Sequence, residues 1–171
     1  ATERTIQGAL QTSAPMVFLA GASGDVTQVD NLSPYVRPNP ESWLRLVGGR
    51  VGAEAVKVLL SMARASEIAL DTRQRTWKIK RRVPAPERMA AARKIVAQGK
   101  TGRDLTDWTY ARETLLLHYI VSIEPEVEVE VQAVQVGPAV FVSNPAEYFV
   151  QYGLDIKAGS PFPFTFPVSL A

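Results

Sequence analysis

The spacing of apolar positions changes several times along this chain, and each change predicts a new element. Thr2 to Leu10 reads as the end of a helix. Pro15 to Ala20 is a continuous apolar run, which predicts a short buried strand. It opens directly into Gly21-Ala-Ser-Gly-Asp-Val-Thr27, a turn of small residues. Asp30 to Pro40 holds three prolines and two asparagines and predicts a loop. From Glu41 to Arg64 the spacing is helical, with Leu44, Val47, Val51, Ala55, Val58, Leu59 and Met62 near one face. Gly48, Gly49 and Gly52 weaken its first half, which implies that a neighbour packs close there.

Further along, Glu67 to Val83 alternates in part and predicts a strand. Pro86 suits the start of a helix through Arg88 to Gln98, and Gly99 suits its end. Asp104 or Thr106 is placed to cap the next helix, which carries Trp108, Ala111, Leu115 and Tyr119 until Pro125 breaks the chain. Glu126 to Val131 alternates strictly, so this strand has one wet and one buried face. Gly137-Pro138 predicts a tight turn to a paired strand at Ala139 to Val142. Asn144-Pro145 then introduces a helix from Ala146 to Lys157, Gly159 ends it, and a further strand begins at Phe164. There is no internal repeat. The pattern predicts an α/β fold (a mixed α+β layered domain) across residues 1–171. The last residues, Val168 to Ala171, fall inside an apolar strand, and the first is not Met. Both suggest a fragment of a larger domain.

Composition narrows the chemistry. The 171 residues are 46% hydrophobic and 21% charged, a globular balance. No stretch approaches the run of about 20 apolar residues that a transmembrane helix needs. The net charge of +2 does not argue for nucleic acid. Arg73, Arg75, Lys78, Lys80, Arg81 and Arg82 do cluster, but with Trp77 as the sole interleaved aromatic. A solvated strand is the commoner reading of such a cluster, and contact with an anionic surface is the sharper one. With no cysteine and one histidine, the chain excludes disulfides and thiolate metal sites and cannot supply a complete zinc centre from histidines.

Two segments carry candidate chemistry. In Gly21 to Thr27, Ser23 or Thr27 could be exposed as a hydroxyl nucleophile beside backbone N–H groups, or the segment could be a plain structural turn. It lacks the Gly-Lys-Ser/Thr of a phosphate loop. In Ser143-Asn-Pro-Ala-Glu-Tyr148, Glu147 sits in the first turn of the predicted helix. There it can serve the helix dipole, or act as a metal ligand or general base. Gly48 to Gly52 lacks dinucleotide-binding spacing and reads as packing. His118 reads as a core or boundary histidine, and Glu126, Glu128 and Glu130 as a solvated strand face.

Together the two segments are more specific. Val17-Phe-Leu-Ala-Gly-Ala-Ser-Gly-Asp-Val-Thr-Gln28 resembles the strand and Asn-x-Gly-Asp-Val-Ser-Pro-Asn segment of the neutral/alkaline ceramidases. Val134 to Lys157, containing Ser143-Asn-Pro-Ala-Glu147, resembles a later segment of that family, where a strand ends in Pro-Gly-Glu before a helix. Ser160-Pro-Phe-Pro and Val168 to Ala171 continue the likeness, while Pro40 to Glu124 matches only in general character. The resemblance implies the latter part of the catalytic domain of a zinc-dependent amidase of sphingolipid metabolism, which cleaves N-acyl amides such as ceramide. It assigns Glu147 as one zinc ligand. Two histidines and a tyrosine would come from outside these residues. Gly24, Asp25 and Thr27 fall on the family's catalytic motif, with Thr27 in place of its Ser.

Ala22, Gln28, Val29 and Ala146 depart from the motifs, so a different small amide or ester is a second possible substrate. A non-catalytic scaffold used for binding or assembly is the alternative from another class. The implied partners are an amide or lipid-like small molecule and the remainder of the catalytic domain, with no nucleic acid. The resemblance admits a secreted or periplasmic location, but the sequence does not fix the compartment.

Overall fold

Asn39 and Pro40 set the start of the longest helix. The Asn39 side chain accepts the backbone N–H groups of Glu41 (3.1 Å) and Ser42 (3.2 Å), and Pro40 occupies the first helical position, where its missing N–H has no consequence. The computed structural model describes residues 1–30, 32, 39–63, 67–100 and 105–171. Its helices are α1 (Thr2–Leu10), α2 (Pro40–Ser61), α3 (Pro86–Ala97), α4 (Leu105–Ile123) and α5 (Val150–Gly159). Its strands are β1 (Leu70–Lys80), β2 (Glu126–Val136), β3 (Ala139–Ser143) and β4 (Phe164–Val168), hydrogen-bonded in the order β1-β2-β3-β4. The fold is therefore a mixed α/β fold, as the pattern predicts.

The chain divides into two compact units, residues 1–74 with 131–171, and residues 75–130. The division falls within β1 and within β2. In the first unit β2 and β3 form an antiparallel hairpin, with Val136 opposite Ala139, and Gly137 turns the chain at a φ of 60°. β3 then pairs with β4 in parallel through α5, a βαβ connection. The register places Phe141 beside Phe166, and their rings stack with centroids 5.1 Å apart. Val140 and Val168 are buried in this sheet, and Ile6 of α1 is buried in the same unit.

Helices α1 and α2 meet through glycine. A Cβ on Gly52 would stand 2.7 Å from the Thr5 Cβ, and one on Gly48 would stand 2.5 Å from the Ala1 Cβ. The close neighbour implied by these glycines is α1. The predicted apolar face of α2 is only partly covered, because the contact runs through Gly48 and Gly52. Leu44, Val51, Val58, Leu59 and Met62 remain exposed. α2 ends at Ser61, with Met62 extended at its C-cap, short of the end predicted at Arg64; most of the loop from Asp30 to Pro40 lies outside the described residues.

In the second unit α3 and α4 pack as a helical hairpin. Met89 and Ala92 of α3 are buried, as are Ala111 and Thr114 of α4, and Thr114 Oγ1 donates to the Tyr110 carbonyl at 2.8 Å. Gly99, at a φ of 78°, closes the end of α3. Of the two proposed caps for α4, Asp104 lies outside the described residues and Thr106 lies inside the helix. His118 is exposed on α4, not the core or boundary residue expected from its apolar neighbours.

Candidate functional site

Asn144 organises the loop after β3. It is only 3% exposed. Its side-chain amide donates to the Val168 carbonyl (3.1 Å), and its side-chain oxygen accepts the Ala146 N–H (2.9 Å). The second of these bonds closes an Asx turn. Asn144 is therefore spent on the loop rather than on a helix start, and α5 begins at Val150 instead of Ala146. Glu147 consequently lies in the irregular segment before the helix, not in its first turn. Its carboxylate belongs to an exposed residue.

The second candidate segment lies directly against this loop. The Gly24 N–H donates to the Tyr148 carbonyl at 2.8 Å, and a Cβ at Gly24 would stand 2.6 Å from the Glu147 carbonyl oxygen. Asp25 Oδ1 accepts the Val150 N–H, the first of α5, at 2.7 Å. Three residues before Asp25 on the turn, Ala22 meets the same helix: a Cβ on Gly153 would stand 2.6 Å from the Ala22 Cβ. Two stretches separated by more than a hundred positions are thus joined by one backbone–backbone bond and one carboxylate–backbone bond.

The end of the chain closes the other side. Ser169 N–H donates to Ala20 O (2.9 Å), Leu170 N–H to Ala146 O (3.3 Å) and Ala171 N–H to Asn144 O (3.1 Å). Leu170 has a φ of 59°, an uncommon left-handed conformation for a residue with a side chain. Ser169 is buried, and its hydroxyl has no hydrogen-bond partner. The sequence marks Asn144 only as a helix start and does not mark Ser169, because both matter through loops rather than through periodic elements.

Within the turn, Val26 N–H donates to Ser23 O (3.0 Å) and Ser23 Oγ donates to Gly21 O (3.3 Å). The Gly24 and Val26 amides are therefore already engaged. Thr27 is exposed, and its Oγ1 accepts the Val29 N–H at 3.3 Å, which leaves its hydroxyl proton free to point elsewhere. Trp43 of α2 reaches the same turn through its indole N–H, which donates to Gln28 O at 3.1 Å.

Apolar grooves open on either side of this turn. One, of about 360 Å³, is lined by Leu19, Phe141, Val150, Leu154 and Phe166 beside Gly21 and Ala22, with Lys157 among its walls. The other, of about 580 Å³, is lined by Phe18, Val29, Trp43, Leu44 and Val47. The run from Pro15 to Ala20, expected as a buried strand, forms no regular strand. Val17 is 80% exposed and Phe18 74% exposed.

Among the described residues no three His, Cys, Asp or Glu side chains stand together as a metal site. Also among them, no helix is long and apolar enough to cross a membrane. Three members of the basic cluster from Arg73 to Arg82 form ion pairs. Arg73 meets Asp71 at 2.6 Å, Lys78 meets Glu128 at 3.7 Å and Arg81 meets Glu124 at 2.6 Å, while Arg75 stacks on Trp77. The solvated-strand reading fits that arrangement, and Glu126, Glu128 and Glu130 are exposed, as expected of a wet face. No protein-family model matches this chain, and no curated protein or solved structure matches it either.

Proposed function

We propose that this chain is part of a zinc-dependent amide hydrolase acting on N-acyl amides, as its resemblance to the neutral/alkaline ceramidases implies. Support comes above all from the meeting of the two motif segments, Gly24 to Thr27 and Asn144 to Val150, at one junction. In this reading Glu147 contributes one carboxylate, and the remaining ligands lie outside residues 1–171. Zinc bound there would supply Lewis acidity toward the scissile carbonyl. The exposed Thr27 hydroxyl would donate to the developing oxyanion. The Gly24 amide would not, since Tyr148 already takes it. The apolar grooves flanking the turn suit an acyl chain or a similar apolar substituent.

The test is hydrolysis of N-acyl amides by the longer protein containing these residues, with and without a chelator, beside Glu147→Ala and Thr27→Ala. Chelation and Glu147→Ala should each abolish turnover. Glu147→Ala should also weaken zinc affinity by more than the 10- to 100-fold that is about typical of losing an outer-shell partner. Thr27→Ala should lower kcat about a hundredfold, the usual cost of one oxyanion donor. Zinc held as tightly by Glu147→Ala as by the wild type overturns the ligand assignment. A wild-type protein inactive on amides and esters alike points to the non-catalytic scaffold.

A further inference from the structure

Asp25 occupies the motif position where a catalytic acid or base would be sought. Its geometry instead indicates a mechanical role. α5 has Phe149 at its N-cap, and no side chain from its own segment caps it. The open N–H at the start of the helix is taken by Asp25, which lies 125 positions away in sequence. A carboxylate accepting a backbone amide there makes a charge-assisted bond, and it also meets the positive end of the helix. One residue earlier, Gly24 makes its own bond to Tyr148 O, and the absence of a side chain at Gly24 lets the Glu147 carbonyl approach. On the opposite side, Leu170 N–H holds Ala146 O and the Asn144 side chain holds Val168 O. The segment from Ala146 to Val150 is pinned at both ends, and Glu147 is inside it.

We propose that Asp25 is a positioning residue whose carboxylate latches the Gly24 turn to the first amide of α5 and thereby fixes the loop that carries Glu147. The latch joins the hydroxyl-bearing turn to the carboxylate-bearing loop, so that Thr27 and Glu147 keep one spacing. Its importance for catalysis rests on the amidase reading, but its existence does not.

Asp25→Asn and Asp25→Ala separate the roles. Asn keeps an acceptor oxygen for the Val150 amide but cannot act as an acid or base, whereas Ala keeps neither. Amide exchange at Val150, followed by NMR in the folded 171-residue chain, reads the latch directly. Exchange should quicken about tenfold in Asp25→Ala, in line with the loss of a helix cap, and stay within about threefold of wild type in Asp25→Asn. In the longer protein kcat should follow the same order, falling about tenfold for Ala and little for Asn, with KM within about twofold for both. An Asn variant as inactive as Ala, with Val150 exchange unchanged, would make Asp25 a chemical participant and overturn the proposal. Unchanged exchange in Asp25→Ala overturns it as well. If Asp25→Ala does not fold, Asp25→Ser, which offers a shorter capping oxygen, takes its place in the same comparison. A wild-type protein that hydrolyses no amide removes the amidase reading alone, and the exchange rates still decide the latch.

Discussion

In the first unit the closest approaches are made by backbone and glycine, and in the second they are made by side chains. Gly24 lies against the backbone of Glu147 and Tyr148, while Gly48 and Gly52 lie against Ala1, Thr2 and Thr5. In the helical hairpin of the second unit the buried groups are Met89, Ala92, Ala111 and Thr114, and a further tie is the ion pair of Arg81 with Glu124. The two modes tolerate change differently. A side chain can often shift to a neighbouring rotamer, but a carbonyl held in a hydrogen-bonded loop cannot move aside without breaking its own bonds. The first unit should therefore be damaged by adding one methyl group, and the second by removing a partner.

Gly24→Ala is the sharpest way to break that comparison. The new Cβ would stand 2.6 Å from Glu147 O, 3.2 Å from Tyr148 O and 3.0 Å from Phe149 Cδ1. Two of these three atoms are backbone, so relief requires the loop to move. Gly24 does not have a positive φ, so the cost is steric and not conformational. We expect a loss of about 2–3 kcal/mol in urea unfolding, the upper part of the range for overpacking. Faster exchange at Val150 should accompany it. A variant as stable as wild type would mean that the loop can move aside freely, and the distinction between the units would fall.

The glycines of α2 provide a smaller effect with an internal control. Gly52→Ala would bring a Cβ to 2.7 Å from Thr5 Cβ and 3.0 Å from Thr2 O, and should cost about 1–2 kcal/mol. Gly49, three residues before it on the same helix, has nothing within 4 Å of an added Cβ. Gly49→Ala should instead stabilise by about 0.5–1 kcal/mol, the helix-propensity gain alone. Denaturant midpoints that move in opposite directions for the two variants support glycine-mediated packing on α1. Equal shifts would show that propensity governs both sites.

Much of the regular structure was legible because it is locally encoded. The alternation at Glu126 to Val131 identified β2, Pro86 and Gly99 bracketed α3, and Gly137 marked the hairpin turn. The misplaced features depend on distant partners. Asn144-Pro145 looked like a helix start because Asn is a good cap. Its side chain is occupied by Ala146 and Val168, and α5 takes its cap from Asp25 instead. No local window contains both Asp25 and Val150. Pro15 to Ala20 had the apolar run of a buried strand, yet among the described residues it is tied to the last strand's end by Ser169 N–H on Ala20 O and forms no ladder. For the candidate site, Gly24, Asp25, Thr27 and Glu147 were marked by motif resemblance. Their association across the junction emerged only with the tertiary contacts, as did the burial of Asn144.

Arg81 and Glu124 give the smallest effect and test the second unit's reliance on side chains. Arg81 Nη2 meets Glu124 Oε2 at 2.6 Å, and Arg81 Nε donates to the Glu124 carbonyl at 2.9 Å. The Arg81 side chain is 24% exposed, but its partner is 62% exposed, so solvent screens the pair. The coupling in an Arg81→Ala, Glu124→Ala double-mutant cycle should be about 0.5 kcal/mol, within the usual range for a partly exposed pair. Arg81→Ala alone should cost more than Glu124→Ala, because it also removes the donor to a main-chain carbonyl, a bond worth about 1 kcal/mol. In 1 M salt the coupling should shrink toward zero while that difference persists, since the bond to the carbonyl does not depend on a second charge. Arg81→Lys should behave nearly like Arg81→Ala, because a single ammonium does not reproduce the two-point grip of the guanidinium on carboxylate and carbonyl. A coupling unaffected by salt would instead mean that the carboxylate acts mainly by ordering Arg81 over the end of α4, and the pair would then belong with the backbone-mediated contacts of the first unit.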